Sequence, residues 1–138
     1  MKNEVNVTFP AIVENTSLAR LIIMGLLSSL DVEMQQLTEI KTVVSEAVTN
    51  AIIHGYEENA IGLIEFKAWL DERYLRVTIK DNGIGIDDVE LAKQPLYTTK
   101  QAEERSGLGF MIMESFTDEF KVESTPGVGT TVTFSRQM

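Results

Sequence analysis

Apolar and polar side chains alternate at Val5, Val7 and Phe9 until Pro10 interrupts, a period of two that predicts a short first strand. The period then becomes helical. Leu18, Leu21, Ile22, Gly25 and Leu26 form a stripe behind a cap at Asn15 or Thr16, and Ile23, Met24 and Leu27 broaden it beyond what one core face needs. Asp31 is placed as the cap of a second helix, or in the loop before it. Leu37, Ile40, Val43, Val44, Ala47, Val48 and Ala51 make that helix's core stripe, and Gly55 ends it. Alternation returns at Ile64, Phe66, Ala68 and Leu70. After the turn Asp71-Glu72-Arg73 it resumes at Leu75, Val77 and Ile79, which predicts a hairpin. Residues 84–106 have few apolar side chains and no sustained period, so they are expected to form a mobile lid. A helix over about 108–116 follows, then a second hairpin of 120–124 and 130–135 around Pro126-Gly127-Val128-Gly129.

The order β-α-α-β-β-lid-α-β-β predicts an α+β two-layer sandwich, with helices over one face of a mixed, mainly antiparallel sheet. A chain of 138 residues, 43% of them hydrophobic, is expected to be a single domain spanning 1–138 with a self-supporting core. No apolar run reaches the ~18 residues of a membrane span, and no secretory signal opens the chain, so the default location is cytoplasmic, with no membrane partner. The absence of cysteine excludes disulfides and thiolate chemistry, and a lone histidine argues against a His-rich metal centre. A formal net charge of −9 argues against direct nucleic-acid binding.

Three short segments carry candidate chemistry. Glu46 and Asn50 stand one helical turn apart on one face, and a carboxylate beside an amide oxygen suits proton transfer and a hard cation. The alternative is two solvated helix positions. Asp81 ends the alternating run Leu75, Val77, Ile79, so a carboxylate takes a core-facing place, a charge that needs a donor to offset its desolvation. Gly83 and Gly85 after it permit close approach of backbone to a ligand, or make a tight turn. Ser106-Gly107-Leu108-Gly109 opens an apolar helix whose N–H groups favour phosphate, or serves as a plain helix entry, with Arg105 just before it. Thr130 starts the last strand, where its hydroxyl either assists Asp81 or is an ordinary strand side chain.

Together these motifs carry a resemblance that spans nearly the whole chain. Glu46-x-x-x-Asn50-Ala51 resembles the N-box of the ATPase type shared by gyrase, the Hsp90 chaperone, histidine kinases and MutL (GHKL, or the Bergerat fold). Asp81-Asn-Gly-x-Gly85-Ile86 is similar to its G1 box, Gly107-Leu-Gly-Phe-x-Ile-Met113 to its G2 box, and Pro95-Leu-Tyr-Thr-Thr-Lys100 to the histidine-kinase lid. The resemblance implies ATP and Mg²⁺ as ligands. Asn50 would hold the metal, Asp81 would accept from the adenine amine, and Thr130 would assist through water. Gly83 and Gly85 would shape the pocket, while Lys100, Arg105, Gly107, Leu108 and Gly109 would line the phosphate side. Glu46 takes the place of the general base.

The chain is also similar to the bacterial anti-sigma serine-protein kinases, the anti-sigma F group of sporulating bacilli in particular, through Glu46-Ala-Val-Thr-Asn-Ala-Ile-Ile-His-Gly55. That likeness implies inhibition of a sigma factor and ATP-dependent phosphorylation of a serine on an anti-anti-sigma factor. Histidine-kinase-style autophosphorylation is disfavoured, because the one histidine, His54, lies within the N-box helix. The absence of a transducer segment argues against work on DNA. Arg20, with Ile23, Met24 and Leu27, is a candidate partner surface whose alternative is packing against the second helix. The first strand, if at a sheet edge, would pair with its twin in a homodimer. Two rival activities use the same residues: an ATP-switched binding module with negligible turnover, and a slow ATPase without a protein substrate.

Overall fold

The alternating segments pair into one five-stranded sheet. A computed structural model describes residues 1–56, 62–86, 88–93 and 109–138 of the chain. Its strands are β1 (Lys2–Pro10), β2 (Leu63–Asp71), β3 (Tyr74–Asp81), β4 (Glu119–Thr125) and β5 (Gly129–Gln137), in the order β1-β2-β3-β5-β4. Every neighbouring pair is antiparallel. The helices are α1 (Asn15–Leu27), α2 (Met34–Asn50), which runs into a π-helical turn at Ala51–Gly55, then α3 (Val89–Ala92) and α4 (Gly109–Ser115). α3 is one turn of helix where the sequence pattern predicts only lid.

Inward positions of β2 and β3 (Ile64, Phe66, Ala68, Leu70, Leu75, Val77, Ile79) are buried, as are Val132 and Phe134 of β5. Ala19, Ile23, Leu26 and Leu27 of α1 and Ile40, Val43, Val44, Ala47 and Val48 of α2 pack onto them, so period two meets period 3.6 in one core. The opposite sheet face is largely polar, with the Arg76 guanidinium 5.9 Å from the Trp69 ring centroid.

Three expectations are corrected. β1 begins at Lys2, because strand pairing at an edge needs no apolar side chain, and Lys2 already faces Asp71 across the ladder. The buried stripe of α1 is Thr16, Ala19, Ile23, Leu26 and Leu27, while Leu18 and Leu21 are 39% and 63% exposed. That helix is apolar on most sides, so two stripes compete and the tertiary contacts choose. Neither Asn15 nor Thr16 caps it. Glu14 is the N-cap without a side-chain bond, the Asn15 amide donates to the Pro10 carbonyl at 2.8 Å, and the Thr16 hydroxyl is buried without a partner. Asp31 lies in the loop before α2, where its carbonyl accepts from Arg73 at 2.9 Å.

Candidate functional site

Asp81 continues the inward series of β3 and is 5% exposed. Burial pushes its carboxyl pKa upward, and the backbone N–H groups of Gly83 and Thr130 pull it back down. The Gly83 N–H lies 2.9 Å from Oδ1, and Thr130 stands directly opposite Asp81 in the β3–β5 ladder. Two carboxylate oxygens offer about four lone-pair sites, so capacity remains for a donor on a ligand.

Glycine backbone packs closely against Asp81 and the turn that follows it. A Cβ at Gly55 would lie 2.9 Å from the carboxylate, one at Gly83 would strike the Gly55 carbonyl at 2.0 Å, and one at Gly129 would strike the Asp81 carbonyl at 2.2 Å. The Ile84 N–H donates to the Gly55 carbonyl at 2.8 Å, which fastens the end of α2's π turn to the loop after β3. Tyr56 reinforces the junction: its hydroxyl accepts from the Asn82 N–H and donates to the Leu63 carbonyl, both at 2.6 Å. Gly85 has φ 78°, and a Cβ there would meet the Thr125 carbonyl at 2.3 Å.

Glu46 and Asn50 face the first residue of α4. A Cβ at Gly109 would lie 3.2 Å from Glu46 Oε2 and 3.4 Å from Asn50 Nδ2, so a glycine keeps the space between α2 and α4 open. The expected residues therefore form two groups, Asp81 with Gly83, Gly85 and Thr130, and Glu46 with Asn50 and Gly109. The turn from Ala51 to Gly55 leads from the second group to the first. Lys100, Arg105, Gly107 and Leu108 lie outside the described residues, as does most of the expected lid.

Among the described residues no three His, Asp or Glu side chains gather into a metal cluster. The Asn50 amide oxygen nonetheless fits Mg²⁺, which takes one or two protein oxygens and fills its shell with phosphate and water. Arg20 is half-buried against α2, donating to Ser45 Oγ and Ser17 Oγ at 3.1 Å each, beside Glu46 in sequence. Ile23 and Leu27, expected beside it on a partner surface, belong to the core instead.

Sequence reasoning missed Ser124. Its hydroxyl accepts from the Ile86 N–H at 2.7 Å, donates to the Gly129 carbonyl at 3.0 Å and lies 2.8 Å from Thr130 Oγ1. A polar outlier on the inward face of β4, after Phe120 and Val122, was the available signal.

Residues 9–136 match the histidine kinase-like ATPase domain family. Over its full length the chain is 50% identical to the anti-sigma F factor of Bacillus subtilis and 52% identical to that of Halalkalibacterium halodurans, covering 94% of each. The chain belongs to the anti-sigma F factor family. It belongs equally to the histidine kinase-like ATPases, and the α+β Bergerat fold expected from the motifs is the fold observed, with the described strands antiparallel throughout rather than mixed. Among solved structures, the RsbU and RsbW domains of a Mycobacterium tuberculosis protein superpose with a TM-score of 0.68 over 98% of this chain and 32% of that one. Their 19% identity makes this a likeness of fold alone. No described helix is long and apolar enough to cross a membrane.

Proposed function

We propose that this chain binds ATP, holds a sigma factor inactive and phosphorylates a serine on an anti-anti-sigma protein. The observation that carries the reading is the buried Asp81 carboxylate, ringed by glycine backbone and one π turn away from the paired Glu46 and Asn50. A charge kept so far from water is costly to the fold unless donors answer it, and beyond the Gly83 and Thr130 N–H groups the carboxylate has acceptor capacity left for a ligand. An adenine amine is such a ligand. Asn50 would hold Mg²⁺, which neutralises phosphate charge when bound and so reconciles an anionic ligand with a chain of net charge −9. Lys100, Arg105, Gly107, Leu108 and Gly109 are assigned to the phosphates.

In the transfer, the serine oxygen of the substrate attacks the terminal phosphorus, its proton passes to the Glu46 carboxylate, and the bond to ADP breaks. A positioned base contributes ~10²–10⁴-fold. Glu46→Ala is therefore expected to leave ATP affinity nearly intact while transfer to the serine falls by that factor. Labelled ATP with the serine substrate, beside calorimetry on the same samples, checks both; equal loss of binding and transfer overturns the assignment. The same assay separates a kinase from an ATP-switched binding module, which would show no labelled product.

Arg20 is proposed as a partner contact at one end of a surface that includes the exposed Leu18 and Leu21 of α1. Arginine beside apolar side chains is common at interfaces. The partner would sit next to Glu46, since Arg20 already reaches Ser45. A homodimer through the β1 edge and a cytoplasmic location complete the proposal.

A further inference from the structure

Among the described residues, most backbone donors beside Asp81 are already engaged. The backbone N–H groups of Gly83 and Thr130 are directed at the Asp81 carboxylate. Those of Asn82, Ile84 and Ile86 go to Tyr56, Gly55 and Ser124 respectively. The side-chain donor here is the hydroxyl of Thr130, a residue that stands opposite Asp81 in the ladder and is 9% exposed. Its one hydrogen has either to point into the pocket or to be held elsewhere.

Ser124 decides this by proton inventory. A serine hydroxyl has one hydrogen and two lone pairs. The hydrogen of Ser124 goes to the Gly129 carbonyl at 3.0 Å, and one lone pair takes the Ile86 N–H at 2.7 Å. The remaining contact, 2.8 Å to Thr130 Oγ1, is then a bond in which Thr130 donates and Ser124 accepts. Thr130 is left with lone pairs only for anything on its other side.

We propose that Ser124 makes this edge of the pocket acceptor-only, and so sets a preference for a purine carrying an exocyclic amine over one carrying a carbonyl. Ser124 touches no ligand in this scheme; it is a positioning residue that acts through Thr130. The inference rests on the ATP reading above and deepens it. An amine offers two N–H donors to two acceptors, Asp81 and Thr130. A carbonyl in the same place meets lone pairs alone, and an unmatched polar group is penalised more heavily than a hydrogen bond is rewarded.

The test is calorimetric titration of the full chain with Mg·ATP and with Mg·ITP, whose base has a carbonyl in place of the amine. The wild type should prefer ATP. In Ser124→Ala the Thr130 hydroxyl is released to donate, so the ATP-over-ITP ratio should narrow by about five- to tenfold, the scale of one hydrogen bond. Ser124→Thr, which keeps the hydroxyl, should retain the wild-type ratio. Ser124→Cys keeps the shape, weakens each bond, and supplies the same comparison if the alanine variant does not fold. A merely structural serine would lower both affinities by one factor. That outcome, or an unchanged ratio, overturns the proposal while leaving ATP binding in place. A wild type that shows no saturation with ATP removes the nucleotide reading and this inference together.

Discussion

At the scale of single residues, the decisive fact is a carboxylate placed where its proton is held more tightly than usual. Burial raises the pKa of Asp81 above the ordinary aspartate value of 3.8. Between that value and the raised one, the folded chain binds more protons at this site than the unfolded chain. The site's contribution to stability is thus greatest at low pH and declines as pH climbs through the window. Nucleotide affinity should move the other way, because only the ionised carboxylate is a pure acceptor, and it weakens as pH falls through the raised pKa. Asp81→Asn is expected to abolish saturable Mg·ATP binding and to remove both pH dependences. Thermal denaturation reads this directly: ligand at a hundred times its Kd stabilises a native protein by about 2.7 kcal/mol, and the variant should gain none of it. Stabilisation by ATP that survives in Asp81→Asn would sink the assignment. Asp81 was legible in the sequence because it breaks an apolar alternation at one position. Ser124 breaks the alternation of Phe120 and Val122 in the same way, but its role was not legible, because it depends on three partners, Ile86, Gly129 and Thr130, that only folding brings together.

Between elements, glycines determine how closely backbone and side chains approach. Gly83 abuts the Gly55 carbonyl so tightly that no side chain is accommodated, whereas Gly109 leaves Cβ distances of 3.2 Å to Glu46 and 3.4 Å to Asn50. Gly109→Ala is therefore informative. Alanine favours α4 by up to about 1 kcal/mol over glycine, so the melting temperature should hold or rise. The added methyl presses on the Glu46 carboxylate, which must give by a few tenths of an ångström, and phosphoryl transfer tolerates misplacement poorly. Transfer to a serine substrate should fall roughly tenfold or more at unchanged stability; a variant that melts early and transfers normally would contradict this role for the glycine. The strands and α2 could be read from their periods, within a few residues. The face of α1 could not, since Leu18, Leu21, Ile22, Ile23, Leu26 and Leu27 satisfy more than one helical stripe. Nor was the π turn visible at Ala51–Gly55, where Ala51, Ile52 and Ile53 simply continue the apolar content of α2.

For the whole molecule, the sheet order leaves β1 and β4 as its edges. The two edges are not alike. Beside β4, the Lys93 ammonium sits 5.6 Å from the Phe120 ring centroid, extending over a strand of seven residues. β1 is nine residues long, and its inward Val5 and Val7 remain only half-buried while Phe9 is fully covered. A long edge strand with unfinished apolar cover is a template for another strand, and the same edge on a second copy is its self-complementary partner. Two β1 strands joined about a twofold axis would extend each sheet and finish the burial of Val5 and Val7. Replacing Val7 by lysine puts an inward charge on the edge, a device that blocks edge pairing while costing the monomer little at a half-exposed position. Light scattering at micromolar concentration should therefore give a dimer mass for the wild type and a monomer mass for Val7→Lys, with the circular dichroism of the two unchanged. A monomeric wild type removes the dimer. A dimer that survives the lysine moves its interface away from this strand and toward α1, where Leu18 and Leu21 are the exposed apolar side chains that would have to be covered instead.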